Sequence, residues 1–201
     1  MRKGLLFIIS GPAGSGKGTV VKEILKKHPE VKLSISMTTR APRPIETPDV
    51  DYYFVTKEYF GESIANGMML EYAEYNGNFY GTPRNRVEES LEKGHDVILE
   101  IEVEGAMQVK AKYPYAVTIM LTPPDGKTLE ARLRGRGTET EENILKRLDK
   151  AKIEVKFLPR YDYSVVNEDG GAEACADLVY AIMQAEHAKT SRTQEIMNKF
   201  E

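Results

Sequence analysis

These 201 residues predict an α/β architecture in which helices flank a parallel sheet, and three observations carry that expectation. Leu5-Leu6-Phe7-Ile8-Ile9 is an unbroken apolar run bounded by Ser10-Gly11-Pro12. Strands of a parallel sheet read this way because helices cover both of its faces. A glycine-rich turn and then a helical pattern follow at once, so strand, loop and helix form the opening unit. Strand-like and helix-like segments then keep alternating, as crossover-connected parallel strands require.

The elements follow in order. Val20, Val21, Ile24 and Leu25 recur at helical spacing, and the pattern dies near His28-Pro29. Between Thr38 and Thr82 the alternation breaks: the chain is rich in Pro, Tyr, Gly and Glu, with strand-like pieces at 51–55 and 71–75. This stretch predicts an inserted subdomain with its own small sheet. Thr82-Pro83 opens a helix, with Thr as cap and Pro at the first helical position, and Lys93-Gly94 closes it. Residues 96–101 and 117–121 read as further buried strands, and 163–166 as a shorter one. Thr138-Glu139-Thr140-Glu141 offers a capping box for a helix with Ile144, Leu145, Leu148, Ala151, Val155 and Leu158 on one face. A last helix covers about 172–188, and the polar residues from Lys189 onward are expected to fray.

Composition narrows the function. A net charge of −3, without long charge blocks, argues against a protein that coats nucleic acid, though it leaves a small phosphorylated ligand open. The single cysteine, Cys175, sits in a helical run and reads as a buried structural thiol, without a disulfide framework or cysteine metal cluster. His28, His95 and His187 lack metal-ligand spacing and read as surface or capping residues. The N-terminal apolar run is too short for a signal peptide, and no stretch approaches the roughly 18 apolar residues of a membrane span. A cytoplasmic protein with no membrane partner is expected.

Gly11-Pro12-Ala13-Gly14-Ser15-Gly16-Lys17 fits the glycine-rich frame of a phosphate loop, which makes the sheet one of the P-loop NTPase type. Glycines let backbone N–H groups turn inward around an anion, and the following helix N-terminus adds its dipole. Lys17 can then reach the β- and γ-phosphates of a Mg²⁺-bound nucleotide, though the loop alone does not say which reaction follows. The usual motif continues with Ser or Thr, but here Gly18 precedes Thr19, so Thr19 or water is left to meet the metal. Glu100, at the end of an apolar strand, is placed to orient Mg²⁺ through water. Phosphoryl transfer needs positive charge more than covalent chemistry, and Lys17, Arg132, Arg136 and Arg147 are the candidates.

The acceptor side carries a resemblance. Ser34-Ile35-Ser36-Met37-Thr38-Thr39-Arg40-Ala41-Pro42-Arg43 is followed by Asp51-Tyr52-Tyr53-Phe54 and by Glu71 through Gly77-Asn78-Phe79-Tyr80-Gly81-Thr82. Glu100-Ile101-Glu102-Val103-Glu104-Gly105-Ala106 and Gly135-Arg136-Gly137-Thr138-Glu139-Thr140 come next. In order and spacing this looks like the guanylate kinase signature. It covers nearly the whole chain, from about Gly4 to Glu186. The residue types fit such chemistry, since two arginines near two tyrosines make a cradle for a phosphate dianion. A carboxylate can accept from both N1–H and the exocyclic amine of guanine, and adenine would leave it unpaired. Taken singly, Tyr52 and Tyr80 read as core aromatics, Arg43 as a solvated charge and Glu71 as a surface carboxylate; their joint order overturns this.

The resemblance implies that Glu71 reads guanine with Ser36 and Glu102, while Arg40, Arg43, Tyr52 and Tyr80 hold the GMP phosphate with Thr82 nearby. It makes the basic segment around Arg136 a lid over ATP, and Asn167 an adenine-side contact. The reaction implied is transfer of the γ-phosphoryl group of ATP to GMP, in purine metabolism and GMP recycling. The domain implied is 4–186, with core 4–36, 83–131 and 151–186, GMP-binding insert 37–82, lid 132–150 and tail 187–201. Glu102 stands where Asp is frequent, and Glu104 where Gln is usual. Rival readings are another nucleoside monophosphate kinase, favoured by Gly18-Thr19, and a non-catalytic guanylate-kinase-like module that binds phosphorylated peptides. Monomer and homo-oligomer are both compatible with these residues.

Overall fold

The computed structural model of the chain describes residues 3–135 and 140–192. Arg136, the Thr138-Glu139 half of the expected capping box and the tail from 193 lie outside the described residues.

The first half runs β1 (Leu6–Ser10), α1 (Lys17–Lys27), β2 (Lys32–Leu33), β3 (Ser36–Thr38), β4 (Tyr52–Phe54), α2 (Lys57–Ala65), β5 (Met69–Tyr75), β6 (Asn78–Pro83) and α3 (Arg84–Glu92). The second continues with β7 (Val97–Glu100), α4 (Val103–Lys112), β8 (Val117–Thr122), α5 (Gly126–Gly135), α6 (Glu141–Val155), β9 (Tyr163–Val166) and α7 (Ala172–His187). A parallel five-stranded sheet has the order β2-β7-β1-β8-β9. Every residue of β1 is buried, as an uninterrupted apolar run demands. A second sheet has the order β4-β3-β6-β5, with β3 parallel to β4 and antiparallel to β6.

The chain divides into two compact units, Met1–Ile8 with Glu30–Ala116 and Ile9–Pro29 with Val117–Glu201. In the first, Met37, Phe60 and Met69 form a core patch under the small sheet, with Tyr53, Val55, Ile64 and Phe79 packed against it. The Phe60 and Phe79 rings stack with centroids 5.5 Å apart. In the second, Leu129 and Leu133 of α5 meet Ile144 and Ala151 of α6, with Leu148 against them. Cys175 is buried on α7, and burial pushes its thiol up to about 11. Of the histidines, His28 caps α1 and stacks on Tyr180.

Several sequence expectations need correction. Thr82 does not cap α3: it belongs to β6, Pro83 is the cap residue, and the helix begins at Arg84. The Thr82 hydroxyl is instead committed across the strand pair to Glu71. On α6 the cap is Thr140, whose hydroxyl accepts from the Asn143 N–H. Leu145 and Val155 of the expected apolar face are exposed, because only Ile144, Leu148 and Ala151 face α5. Fraying does not begin at Lys189: Thr190–Arg192 form a 3-10 turn, and Lys189 and Arg192 both pair with the fully buried Glu186. Between Thr38 and Thr82 the structure adds helix α2, whose nine residues show too little apolar periodicity for the sequence to announce it.

Candidate active site

The second unit holds the phosphate loop. Gly11, Gly14 and Gly16 all have positive φ, at 146°, 96° and 89°. The space around them is as restrictive as the backbone: a Cβ on Gly11 would meet the Leu121 carbonyl oxygen at 2.0 Å, and one on Gly16 would meet Asn167 Nδ2 at 2.3 Å. Only glycine satisfies both conditions. Gly16 is also the cap residue of α1 and supplies no capping side chain, so the first-turn N–H groups are left to whatever the loop encloses. Lys17 folds back over the loop, donating to the carbonyls of Gly11 (2.6 Å) and Pro12 (3.2 Å). Gly18 is inside the helix, and Thr19 is exposed on its first turn.

Asn167 clamps this loop. Its Nδ2 donates to the Ser15 carbonyl at 2.8 Å, and its backbone N–H donates to Thr122 O at 2.8 Å. Asn167 Oδ1 and Ser15 Oγ are buried and have no hydrogen-bond partner. Arg132, on α5, donates from Nη2 to the Asn167 carbonyl (2.8 Å) and to Asp169 Oδ1 (2.7 Å), and from Nε to the same carboxylate (3.0 Å). Its Nη1 is buried without a partner. Buried donors are rarely left so, and this one is available to an anion. Arg147 is half-buried on α6.

The first unit holds the acceptor residues. The register sets Ser36 opposite Tyr52, Thr38 opposite Tyr80 and Glu71 opposite Thr82. Arg40, just past β3, donates from Nε to the Tyr80 hydroxyl at 3.2 Å and lies over the Tyr52 ring, 5.5 Å from its centroid. The Tyr52 and Tyr80 rings meet edge to face at 6.1 Å, and burial pushes the Tyr52 phenol upward, keeping it a donor. Arg43 is exposed and reaches this group through Glu46, which also grips Arg40. Arg40, Tyr52 and Tyr80 are thus in mutual contact, as a phosphate cradle needs.

Glu71 is only 6% exposed, and Thr82 Oγ1 donates to its Oε1 at 2.6 Å. Burial pushes its carboxyl above the ordinary range, against the Thr82 hydrogen bond and the Lys112 charge. On α4, a Cβ at Gly105 would lie 2.8 Å from Glu71 Oε2, so glycine there makes room for the carboxylate. Lys112 closes the same helix onto β5 by donating to the carbonyls of Met69 and Leu70. Glu102 is the cap residue of α4, and Glu100 ends β7 exposed.

Among the described residues no three or more His, Cys, Asp or Glu side chains cluster to hold an ion. Thr19, in the second unit, and Glu100, in the first, each offer a hard oxygen donor of the kind magnesium takes. Three neighbours escaped the sequence reading: Glu46, Asp169 and Gly105. An acidic residue beside an arginine is too common a pattern to single out, and a helical glycine gives no sign of what it faces.

The family model described as "Guanylate kinase" matches residues 3–185. The guanylate kinase of Lactococcus lactis is 51% identical over 96% of this chain and 93% of its own length. That of Streptococcus pneumoniae strain R6 is 50% identical over 98% and 96%. The crystal structure of guanylate kinase from Anaplasma phagocytophilum superposes with a TM-score of 0.76 at 35% identity, covering 95% of this chain and 90% of that one.

Proposed function

The chain belongs to the guanylate kinase family and transfers the γ-phosphoryl group of ATP to GMP, and on that premise we propose how its residues divide the work. The observation that carries the assignment of roles is that the candidate GMP residues all fall in the first compact unit and the phosphate loop, Asn167 and the candidate arginines in the second, with the metal candidate Glu100 alone crossing that division.

Lys17 holds the β- and γ-phosphates together with the N–H groups of residue 11 and residues 13–19. The Gly11 and Pro12 carbonyls it meets are neutral, so a phosphate offers it stronger, charge-assisted bonds than these. Arg132, Arg136 and Arg147 neutralise charge on the transferring group, Arg132 through the N–H left unpartnered at Nη1. Asn167 serves the adenine side and fixes the loop through Ser15. Thr19 or Glu100 would hold Mg²⁺ through water, and the ion would supply neutralisation of the phosphates' charge.

 The acceptor is already an ionised phosphate oxygen, so the reaction asks no side chain to act as a general base.

On the GMP side, Arg40, Arg43, Tyr52 and Tyr80 take the phosphate. Glu71 accepts from guanine N1–H and the exocyclic amine, Ser36 and Glu102 complete the reading of the base, and Thr82 steadies the Glu71 carboxylate. Residues 37–82 form the GMP-binding insert and 132–150 the lid, within a domain of 4–186 whose remaining parts are core, followed by the tail. Closure of both excludes water during transfer. The reaction belongs to the cytoplasm and to purine nucleotide recycling. No helix among the described residues is long and apolar enough to cross a membrane.

A coupled ADP-release assay with ATP, Mg²⁺ and GMP, AMP, CMP or UMP tests the base assignment. Turnover with GMP alone is the expected outcome. Turnover led by AMP would overturn the role given to Glu71.

A further inference from the structure

Glu46 lies in a segment held by turns, among them its own N–H to the Arg43 carbonyl at 3.0 Å, and not by regular secondary structure. Its neighbour Ile45 is 90% exposed, and no strand or helix covers residues 41–51. The Glu46 side chain is nevertheless only 11% exposed. Oε1 accepts from Arg40 Nη2 at 2.8 Å, and Oε2 accepts from Arg40 Nη1 at 3.0 Å. Oε2 also accepts the Arg43 backbone N–H at 2.8 Å, while Arg43 Nη1 lies 3.9 Å from Oε1. Arg40, in turn, holds the Glu46 carboxyl below its usual range, so it stays ionised at neutral pH.

A guanidinium presents two forks, one across its terminal nitrogens and one across Nε and a terminal nitrogen. Glu46 occupies the end fork of Arg40. The remaining Nη1 N–H goes to the Ala41 carbonyl at 2.7 Å. What is left is the side fork, where Nε meets the Tyr80 hydroxyl.

We propose that Glu46 is a positioning residue for the GMP phosphate: by gripping the end fork of Arg40 it presents the side fork, with the Tyr80 hydroxyl, to the phosphate oxygens. Through the Arg43 backbone it ties the second arginine to the same arrangement. The carboxylate therefore acts by restraint, and its negative charge beside a phosphate site is the cost of that restraint. This inference rests on the assignment of Arg40, Arg43, Tyr52 and Tyr80 to the GMP phosphate.

Steady-state kinetics of Glu46→Ala, Glu46→Gln and Arg40→Ala in the full chain, with calorimetric binding of GMP and of guanosine, test it. Glu46→Ala is expected to raise KM for GMP about ten-fold, the loss of one charge-assisted hydrogen bond. KM for ATP, kcat at saturating GMP and the affinity for guanosine, which lacks the phosphate, should stay unchanged. Glu46→Gln should fall between, because the amide keeps an acceptor for Arg40 and changes the fold least. An unchanged or lowered KM for GMP in both variants would overturn the proposal, making Glu46 a bystander or a competitor of the phosphate. Equal weakening of guanosine would overturn it too, by showing a general structural role. If Arg40→Ala leaves KM for GMP unchanged, the phosphate assignment itself fails. If Arg40→Ala raises it and the Glu46 variants do not, only the role of Glu46 fails.

Discussion

At Glu71 recognition and stability pull in opposite directions. The charged carboxylate is the form that can accept two guanine N–H groups, and burial is what disfavours that form. A carboxyl whose folded pKa lies above its unfolded value contributes stability at low pH that is lost as pH rises through the folded value. Glu71→Gln keeps an acceptor for Thr82 and removes the ionisation. The variant should therefore melt no lower than the parent at pH 8, with any advantage shrinking on acidification, as thermal scans at pH 5 and pH 8 would show. Its kcat/KM for GMP should fall about 10- to 100-fold, the range for losing a charged hydrogen bond, with KM for ATP unmoved. Glu71 was legible only through its place in an ordered set of motifs. Nothing in the residue's own surroundings along the chain announces burial, because its cover comes from Thr82 and Gly105.

Helix α4 and the α5–α6 pair show how elements tune the sites. Gly105→Ala would ordinarily favour a helix by up to about 1 kcal/mol. Here the added methyl meets the end of the Glu71 side chain at 2.8 Å, so the carboxylate must shift while the backbone stands. The expected result is near-parent thermal stability with a raised KM for GMP, read from melts and kinetics on one preparation. Leu133 is fully buried on α5, and its side chain fills space beside Gly14 of the phosphate loop, where an added Cβ would meet it at 3.2 Å. Leu133→Ala should cost about 2.5–4 kcal/mol in chemical denaturation, and KM for ATP should rise as the loop loses its support. Elements of this kind differ in how far the sequence reveals them. The opening strand, loop and helix are written in apolar continuity and glycine spacing, and β9 was read to the residue. Helix α2 hides because only Phe60 and Ser63 of it are buried, and Thr82 reads as a cap because a Thr-Pro pair has the same look whether it ends a strand or begins a helix.

For the molecule as a whole, the division of candidate residues between two units makes the substrates separable by mutation. Lys17→Ala should lower turnover by about 100-fold or more, the scale of removing one preorganised charge from a transferring group. Calorimetry should find GMP affinity within about threefold of the parent, since the candidate GMP residues belong to the other unit and Lys17 is not among them. Equal loss of GMP affinity would sink that division. The two-sheet plan was legible in the sequence, because the break in alternation between Thr38 and Thr82 is abrupt. The partition into units was not: each is assembled from two stretches of chain, and local pattern carries no record of such pairing.

That partition also bears on how the protein is made. The first unit draws on Met1–Ile8 and Glu30–Ala116, so all of its residues exist once Ala116 has been synthesised. The second needs Ile9–Pro29 together with everything from Val117 onward, so the phosphate loop is among the first segments translated and its unit among the last to be complete. On the ribosome, the guanine-reading half should gain protection from protease while the ATP-binding half is still waiting for its C-terminal strands and α7.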